Sequence, residues 1–112
     1  MNSFTERYDA TVTNLDNQLS TLIDSGSDLD LEKNGDVLSI SFDDGSKFII
    51  TPNSPVSQLW VSANYEGHRF NFNEANQQWY DEKSGEEFTA YLSRLLIEKL
   101  NTPITLSLSA ND

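Results

Sequence analysis

The sequence predicts an α+β fold, a two-layer sandwich in which N- and C-terminal helices pack on one face of an antiparallel sheet of about five to six strands. Apolar stripes with helical spacing occur near both ends of the 112-residue chain, and alternating apolar and polar residues fill its middle. Each predicted element has one apolar face, and stacking these faces removes them from water. A chain of this length is expected to form one domain over residues 1–112.

The first predicted element is a helix that ends near Gly26. Its apolar residues recur at alternating steps of four and three and form one stripe: Tyr8, Val12, Leu15, Leu19 and Leu22. Ser3 or Thr5 is the candidate N-cap, because a short hydroxyl side chain can accept a hydrogen bond from a free N–H at the helix start. Gly26 favours the left-handed conformation that often ends helices.

A run of short strands is predicted after this helix. Leu29 and Leu31 alternate with acidic residues, and Asn34-Gly35 indicates a hairpin because both residues tolerate positive φ. Further strands are predicted at residues 38–42, 47–51, 58–64 and 68–72 and around Trp79. Turns or loops are expected at 43–45, 52–55, 66–67 and 73–77.

A second helix is predicted near the C-terminus. Ser84 and Glu87 have the spacing of a capping box, so the helix is expected to begin there. Its apolar face consists of Phe88, Tyr91, Leu92, Leu95 and Leu96. Asn101-Thr102-Pro103 is expected to end the helix. The apolar residues of the tail alternate and are expected to pack back on the domain: Ile104, Leu106 and Leu108.

The charge of the chain excludes several classes of partner. Eighteen acidic and seven basic residues give a formal net charge of −11. Such a surface repels nucleic-acid phosphate and anionic lipid, so neither nucleic acid nor membrane is an expected partner. No apolar run is long enough to span a bilayer and no signal core is evident, so a cytoplasmic location is expected. The chain has no cysteine, so it cannot hold an iron–sulfur cluster through its own thiolates.

The acidic residues are concentrated early in the chain. Eight lie between Asp16 and Asp44, and Lys33 is the single base among them. Four of them form a row at the predicted sheet edge, here called the acidic ridge: Asp24, Asp28, Asp30 and Glu32. Carboxylates suit hard cations such as ferric iron, calcium or magnesium, and hold ferrous iron weakly. Alternatively, the charges only protect an edge strand from pairing with another sheet.

Trp60 is a candidate contact residue on the predicted wet face of the sheet. If Leu59 and Val61 face the helices, Trp60 points away from them, and an exposed Trp on a polar face is typical of an interface anchor. The alternative is that Trp60 only packs on cross-strand neighbours such as Arg69 or Asn71. Both interpretations are compatible with the sequence.

His68 is the only histidine of the chain. Without a second histidine or a cysteine, a strong zinc site is not expected, and without a paired serine neither is a catalytic triad. His68 is therefore expected to be a surface residue of a strand. The sequence contains no phosphate-binding or dinucleotide-binding glycine motif. No enzymatic activity is therefore expected of the chain.

The segments above, taken in order, resemble the bacterial frataxins of the CyaY type. Residues 27–42 are similar to the first hairpin of that family, residues 44–50 to its next strand, and residues 58–62 to its tryptophan strand. Residues 67–72, 79–81 and 84–88 resemble the rest of the sheet and the start of the last helix. The resemblance covers nearly the whole chain and implies a single frataxin-like domain with a helix–sheet–helix sandwich.

The resemblance implies an accessory function in iron–sulfur cluster assembly. It implies weak binding of iron, as Fe2+ or Fe3+, by the acidic ridge and Asp16, with other divalent cations as alternatives. It implies docking of the ridge on the cysteine desulfurase, and contacts of Gln58 and Trp60 with the scaffold protein or the desulfurase. A monomer is expected in the absence of iron.

The chain departs from the family in the first helix. Bacterial frataxins usually carry a dense run of acids late in this helix, where this chain has Asn17, Gln18, Ser20 and Thr21. Docking is therefore expected to be retained better than a high capacity for iron, because docking depends on a diffuse field. Two alternative functions stay open: weak ferroxidase or iron-storage activity at the ridge, and a metal-independent acidic adaptor for a basic protein.

Overall fold

The computed structural model describes residues 4–63, 66–101, 104 and 106, and this part of the chain forms the predicted two-layer sandwich. Helices α1 (Phe4–Asp24) and α2 (Phe88–Leu100) form one layer. The other layer is a sheet with six strands in the described part: β1 (Leu29–Asn34), β2 (Val37–Phe42), β3 (Lys47–Asn53), β4 (Gln58–Ala63), β5 (Glu66–Asn73) and β6 (Gln78–Asp81). All pairs are antiparallel and the strand order is β1-β2-β3-β4-β5-β6, which places β1 and β6 at the edges.

The apolar core lies between the sheet and the two helices, as the alternation of the strands predicts. Leu38, Ile40, Phe48, Ile50 and Leu59 are among the inward side chains that are fully buried. The predicted stripes of both helices are confirmed, with Leu22 partly buried and the other residues buried. In the tail, Ile104 and Leu106 are buried as predicted, whereas Leu108 lies outside the described residues.

The end of α1 is closed by Gly26, as predicted. Gly26 has φ 100°, in the left-handed region that favours glycine. The N–H groups of Gly26 and Ser27 donate to the carbonyls of Ile23 and Leu22 at 2.9 and 3.0 Å, which satisfies two carbonyls of the last turn. Of the two candidate N-caps, Thr5 lies inside the helix and is not the cap, and Ser3 lies outside the described residues.

Several of the predicted strand boundaries and turns differ from the structure; Asn73, predicted in a loop, is the last residue of β5 and pairs with Gln78. The first hairpin exists, but Asn34 pairs with Val37, so Gly35 and Asp36 form its two-residue loop. β3 continues beyond residue 51 to Asn53. The pair predicted as a turn at residues 66–67 instead begins β5, because pairing with β4 extends to these residues and outweighs the local preference of glycine. Asn64, the predicted last residue of β4, lies outside the described residues.

The start of α2 also differs from the prediction. Glu87 is the N-cap, and its carboxylate accepts the N–H groups of Thr89 and Ala90. Ser84 instead accepts the N–H of Glu86 at 3.1 Å, so the predicted capping box is not formed. At the other end, Asn101 has φ 53° and its N–H donates to the Ile97 carbonyl, which confirms the predicted stop there. Thr102 and Pro103 lie outside the described residues.

Neither described helix is long and apolar enough to cross a membrane.

Candidate functional site: the acidic ridge and the outer sheet face

The acidic ridge follows the exposed edge of the sheet. Asp30 and Glu32 alternate with Leu29, which is buried, and Leu31, which is partly buried against the core. Because successive side chains of a strand point to opposite faces, both carboxylates point away from the helices. Asp24 is the last residue of α1 and Asp28 precedes β1, and all four ridge side chains are exposed. The ridge therefore runs from the end of the helix along the edge strand.

No Lys or Arg side chain in the described part of the chain forms an ion pair with the acidic ridge. The sequence has no Lys or Arg from residue 8 to residue 32. Within the described residues, none of the four ridge carboxylates forms an ion pair, and the ion pairs of Lys and Arg lie elsewhere: Arg7–Glu74, Arg69–Glu82, Arg94–Glu86 and Lys99–Asp44. The ridge therefore presents a negative field to solvent that can attract cations or a basic protein surface.

The candidate metal ligands are spread over a surface. Asp16 is half-buried on α1, and it lies eight residues before Asp24, which separates their Cα atoms by about 12 Å along the helix axis. Asp30 and Glu32 are two residues apart in an extended strand, a spacing of about 7 Å. Among the described residues, no three His, Asp or Glu side chains come together as a metal-binding group. The arrangement can attract hard cations, but it does not form a preorganised cage.

A groove beside the acidic ridge contains a carboxylate that is paired with a lysine. Its volume is about 440 Å³, and Asp28, Asp43, Asp44 and Lys99 contribute to its lining. Lys99 Nζ lies 2.8 Å from Asp44 Oδ2, and the hydroxyl and N–H of Ser46 donate to Asp44 Oδ1. The hydrogen bond from Lys99, followed by those from Ser46, holds the pKa of the Asp44 carboxyl well below its usual range. Asp44 is thereby attached to α2 and differs from the unpaired ridge acids.

Trp60 lies on the outer face of the sheet and is half-buried. The Arg69 guanidinium lies over its ring, 5.0 Å from the centroid, and the indole Nε1–H donates to Gln58 Oε1 at 2.9 Å. The contact with Arg69 is the one that the cross-strand alternative predicted, and the partial exposure keeps the interface alternative open. Both alternatives for Trp60 thus remain compatible with its surroundings.

Gln58 holds Trp60 in place and is itself largely covered. Its Nε2 group donates to Asn71 Oδ1 at 3.1 Å and to Glu82 Oε1 at 2.9 Å. Gln58 is 9% exposed, so most of its surface is not available to a partner. Trp60, Arg69 and Glu82 also line an open groove of about 720 Å³ on this side of the molecule.

His68 is not a simple surface residue, contrary to the sequence-based expectation. Its Nδ1 lies 2.7 Å from Asp81 Oδ2, and its ring packs on Tyr91 with centroids 4.7 Å apart. The strand alternation contained the signal for this position, because His68 shares its face with the inward Phe70 and Phe72. The pairing with Asp81 follows from the register of β5 and β6.

Asp81 is a buried carboxylate with several donors. Burial opposes its ionisation, but the N–H of Lys83, the His68 side chain and the N–H of Ser84 all donate to it. These hydrogen bonds outweigh burial and leave the pKa of Asp81 below its ordinary value. Asp81 therefore joins β5, β6 and the segment that leads to α2. Burial also raises the pKa of the neighbouring Tyr91 to about 12.

Comparison with known proteins agrees with this architecture. The frataxin-like domain model matches residues 1–102. The iron-sulfur cluster assembly protein CyaY of Colwellia psychrerythraea is 40% identical over 84 residues, which cover 75% of this chain and 77% of that protein. Its counterpart in Burkholderia mallei is 32% identical over 101 residues, covering 90% and 92% of the two chains.

A solved structure shows the same fold. The frataxin from Psychromonas ingrahamii, described as a model for stability modulation within the CyaY family, matches with a TM-score of 0.78 and 26% identity. The match covers 95% of this chain and 94% of that one. The domain match, the relatives and the shared fold all span most of the molecule, and this chain belongs to the frataxin-like family.

Proposed function

We propose that this chain is an accessory and regulatory protein of iron–sulfur cluster assembly that docks its acidic ridge on a basic surface of the cysteine desulfurase. The observation that supports this most is the row of exposed ridge carboxylates without a compensating base. Relatives that are named iron-sulfur cluster assembly proteins support the pathway. The protein acts in the cytoplasm as a monomer when iron is absent, and it performs no covalent chemistry.

Iron is proposed as a weakly held ligand of the ridge and Asp16, in competition with other divalent cations. The donors are carboxylates, which suit Fe3+ and accept Fe2+. Their separation and exposure favour weak, poorly selective binding, because a tight site needs ligands that are held by surrounding hydrogen bonds. The uncharged Asn17, Gln18, Ser20 and Thr21 in α1 further limit the capacity for iron.

The outer sheet face supplies the second proposed contact. Trp60 presents a partly exposed ring there, and Gln58 holds that ring by its Nε1–H. A half-exposed tryptophan on a polar surface combines apolar contact area with low side-chain entropy, which suits binding of the scaffold protein or the desulfurase.

An NMR titration with a bacterial cysteine desulfurase tests the docking proposal. We expect signal loss centred on Asp24–Glu32, which becomes smaller when the salt concentration is raised because screening weakens exposed charges. The variant Asp30→Asn/Glu32→Gln should bind more weakly than Asp9→Asn/Glu98→Gln, which also removes one Asp and one Glu charge, both exposed and outside the ridge. Equal losses in the two variants, or no binding of the wild-type protein at either salt concentration, would contradict the proposal.

A second experiment separates the metal-dependent alternatives. Oxidation of Fe2+ is followed in the wild-type protein and in Asp28→Asn/Asp30→Asn. We expect slow oxidation that does not saturate at a defined number of irons, because the ligands are not preorganised. Saturation at a fixed stoichiometry that is lost in the variant would favour ferroxidase activity. Absence of any iron-specific NMR perturbation, with desulfurase binding retained, would favour the metal-independent adaptor.

A further inference from the structure

We infer that Glu82 is a positioning residue for Trp60, and that it holds the indole through Gln58 and Arg69 in the orientation that meets a protein partner. The inference rests on the proposed partner contact of Trp60. Glu82 follows β6, at the edge of the outer face, and its side chain is 31% exposed.

The orientation of the Gln58 amide is determined by its neighbours. Its Oε1 accepts the indole N–H of Trp60, while its Nε2 donates to Glu82 Oε1 and to Asn71 Oδ1. A carboxylate cannot donate when it is ionised, so Glu82 requires the nitrogen side of the amide. The oxygen side is then directed at Trp60. Glu82 thus determines that Oε1 of Gln58, and not Nε2, faces the indole N–H of Trp60.

The same carboxylate also contacts the residue on the face of the indole. Glu82 Oε2 lies 3.7 Å from the nearest Arg69 nitrogen, and the Arg69 guanidinium lies over the Trp60 ring. The backbone N–H of Glu82 donates to the Arg69 carbonyl at 2.9 Å, which holds the start of the β6–α2 connection against β5. Glu82 therefore contacts both neighbours of the Trp60 indole. Its Oε1 accepts from Gln58, which contacts the indole edge, and its Oε2 lies near Arg69, which covers the indole face.

This arrangement reduces the conformational freedom of Trp60 before any partner arrives. An interface residue that is already ordered loses less side-chain entropy on binding. Replacement of Glu82 should therefore weaken the complex through its effect on the order of Trp60. The effect should reach Trp60 and leave Trp79 unchanged, because the Trp79 indole is buried and donates to Thr11 Oγ1.

NMR of the isolated protein tests the inference with Glu82→Ala. The chain has two tryptophans, so Trp79 provides an internal reference for the Trp60 indole N–H. We expect the Trp60 resonance to shift and its hydrogen exchange to accelerate, while the Trp79 resonance stays in place. Binding to the desulfurase should weaken by up to about tenfold, the cost of ordering one side chain on binding. An unchanged Trp60 signal, or equal shifts of both indoles, would overturn the inference.

Exchanging the Gln58 amide and the Glu82 carboxylate between the two positions tests whether the orientation of Trp60 can be restored. Gln58→Glu keeps an oxygen acceptor but removes the donor to Glu82, and repulsion between the two carboxylates should displace side chain 58 from the Trp60 indole. In the double variant Gln58→Glu/Glu82→Gln, the amide at position 82 can donate to the carboxylate at position 58. Asn71 can also donate to this carboxylate after its amide rotates. We expect the Trp60 signal to return toward that of the wild-type protein, and failure to return would contradict the inference. If the wild-type protein binds no desulfurase, the proposed function fails, while the two indole signals still decide the role of Glu82.

Discussion

The two tryptophans of the chain lie in different environments, one in the core and one on the outer face of the sheet. Trp79 is buried, 3% exposed, and its indole N–H donates to Thr11 across the core. Trp60 lies on the outer face, where Gln58 and Arg69 contact it. The alternation of the strand predicts the outward position of Trp60, because Trp60 lies between the inward Leu59 and Val61.

Replacement of Trp60 should separate binding from stability. We expect Trp60→Ala to weaken partner binding by about 2 kcal/mol or more, with a small change in the free energy of unfolding. Trp79→Ala is the control and should lower the free energy of unfolding by about 3–5 kcal/mol because it empties part of the core. Calorimetric titration and urea unfolding measure the two quantities. A large loss of stability in Trp60→Ala with unchanged binding would identify Trp60 as a structural residue.

Asp81 should make the stability of the protein dependent on pH in the acid range. Its pKa is lowered in the folded state, so the ionised carboxylate stabilises the fold above the unfolded pKa of about 4, and this contribution is lost as pH falls through the folded-state value. Asp81→Asn should therefore lower the free energy of unfolding by about 2 kcal/mol at pH 7 and by less below pH 4.

Urea unfolding from pH 7 to pH 3 measures this difference. Glu66→Gln is the matched control, because exposed Glu66 lies 3.5 Å from the other nitrogen of His68 and is expected to contribute little. A difference between the wild-type protein and Asp81→Asn that stays constant with pH would show that ionisation of Asp81 does not stabilise the fold.

At the scale of the elements, the apolar periodicity of the sequence predicts both helices and every strand of the described sheet. The failures occur where a local signal competes with pairing or with an alternative cap. Residues 66–67 join β5 because β4 offers partners, and Gly85, at φ 76°, separates Ser84 from the helix that Glu87 caps. Such competition depends on contacts between elements, which the spacing of residues along the chain does not contain.

The cap of α2 can be tested with a pair of alanine variants. Glu87→Ala removes the acceptor of the Thr89 and Ala90 N–H groups and should lower the free energy of unfolding by about 1 kcal/mol. Ser84→Ala removes only the acceptor of the Glu86 N–H and should have a smaller effect. Thermal and urea unfolding provide the comparison. A larger loss in Ser84→Ala would instead support the capping box that the sequence suggested.

The candidate site was predictable to different degrees. The acidic ridge follows from the alternation of Asp28, Asp30 and Glu32, since strand geometry alone places them on one side. The contacts of Glu82 with Gln58 and Arg69 could not be predicted, because they depend on the register of neighbouring strands and on the path of the chain after β6. Sequence spacing therefore identifies the charged surface, whereas the support of Trp60 requires the three-dimensional structure.

At the scale of the whole molecule, the net charge of −11 and the uncompensated ridge oppose compaction. We expect Asp30→Asn/Glu32→Gln to raise the free energy of unfolding by about 0.5–1 kcal/mol at low salt, because repulsion along the edge strand decreases. The gain should disappear near 1 M salt, where the screening length is about 3 Å. The control variant Asp9→Asn/Glu98→Gln should give no comparable gain in the free energy of unfolding. A ridge variant that is less stable than the wild-type protein would contradict this account.

The consecutive order of the strands affects how fast the chain can fold. Each strand pairs with its neighbour in sequence, so the sheet can grow hairpin by hairpin without closing long loops. Among the hydrogen bonds that join α1 to the rest of the sandwich, those of the Tyr8 hydroxyl with the carbonyls of Asp36 and Ile50 span 28 and 42 residues, and that of Trp79 with Thr11 spans 68 residues. We expect these bonds to form late, so Tyr8→Phe should accelerate unfolding in stopped-flow experiments and hardly slow folding. The helix that leads into the acidic ridge would then dock on the sheet after the hairpins have formed.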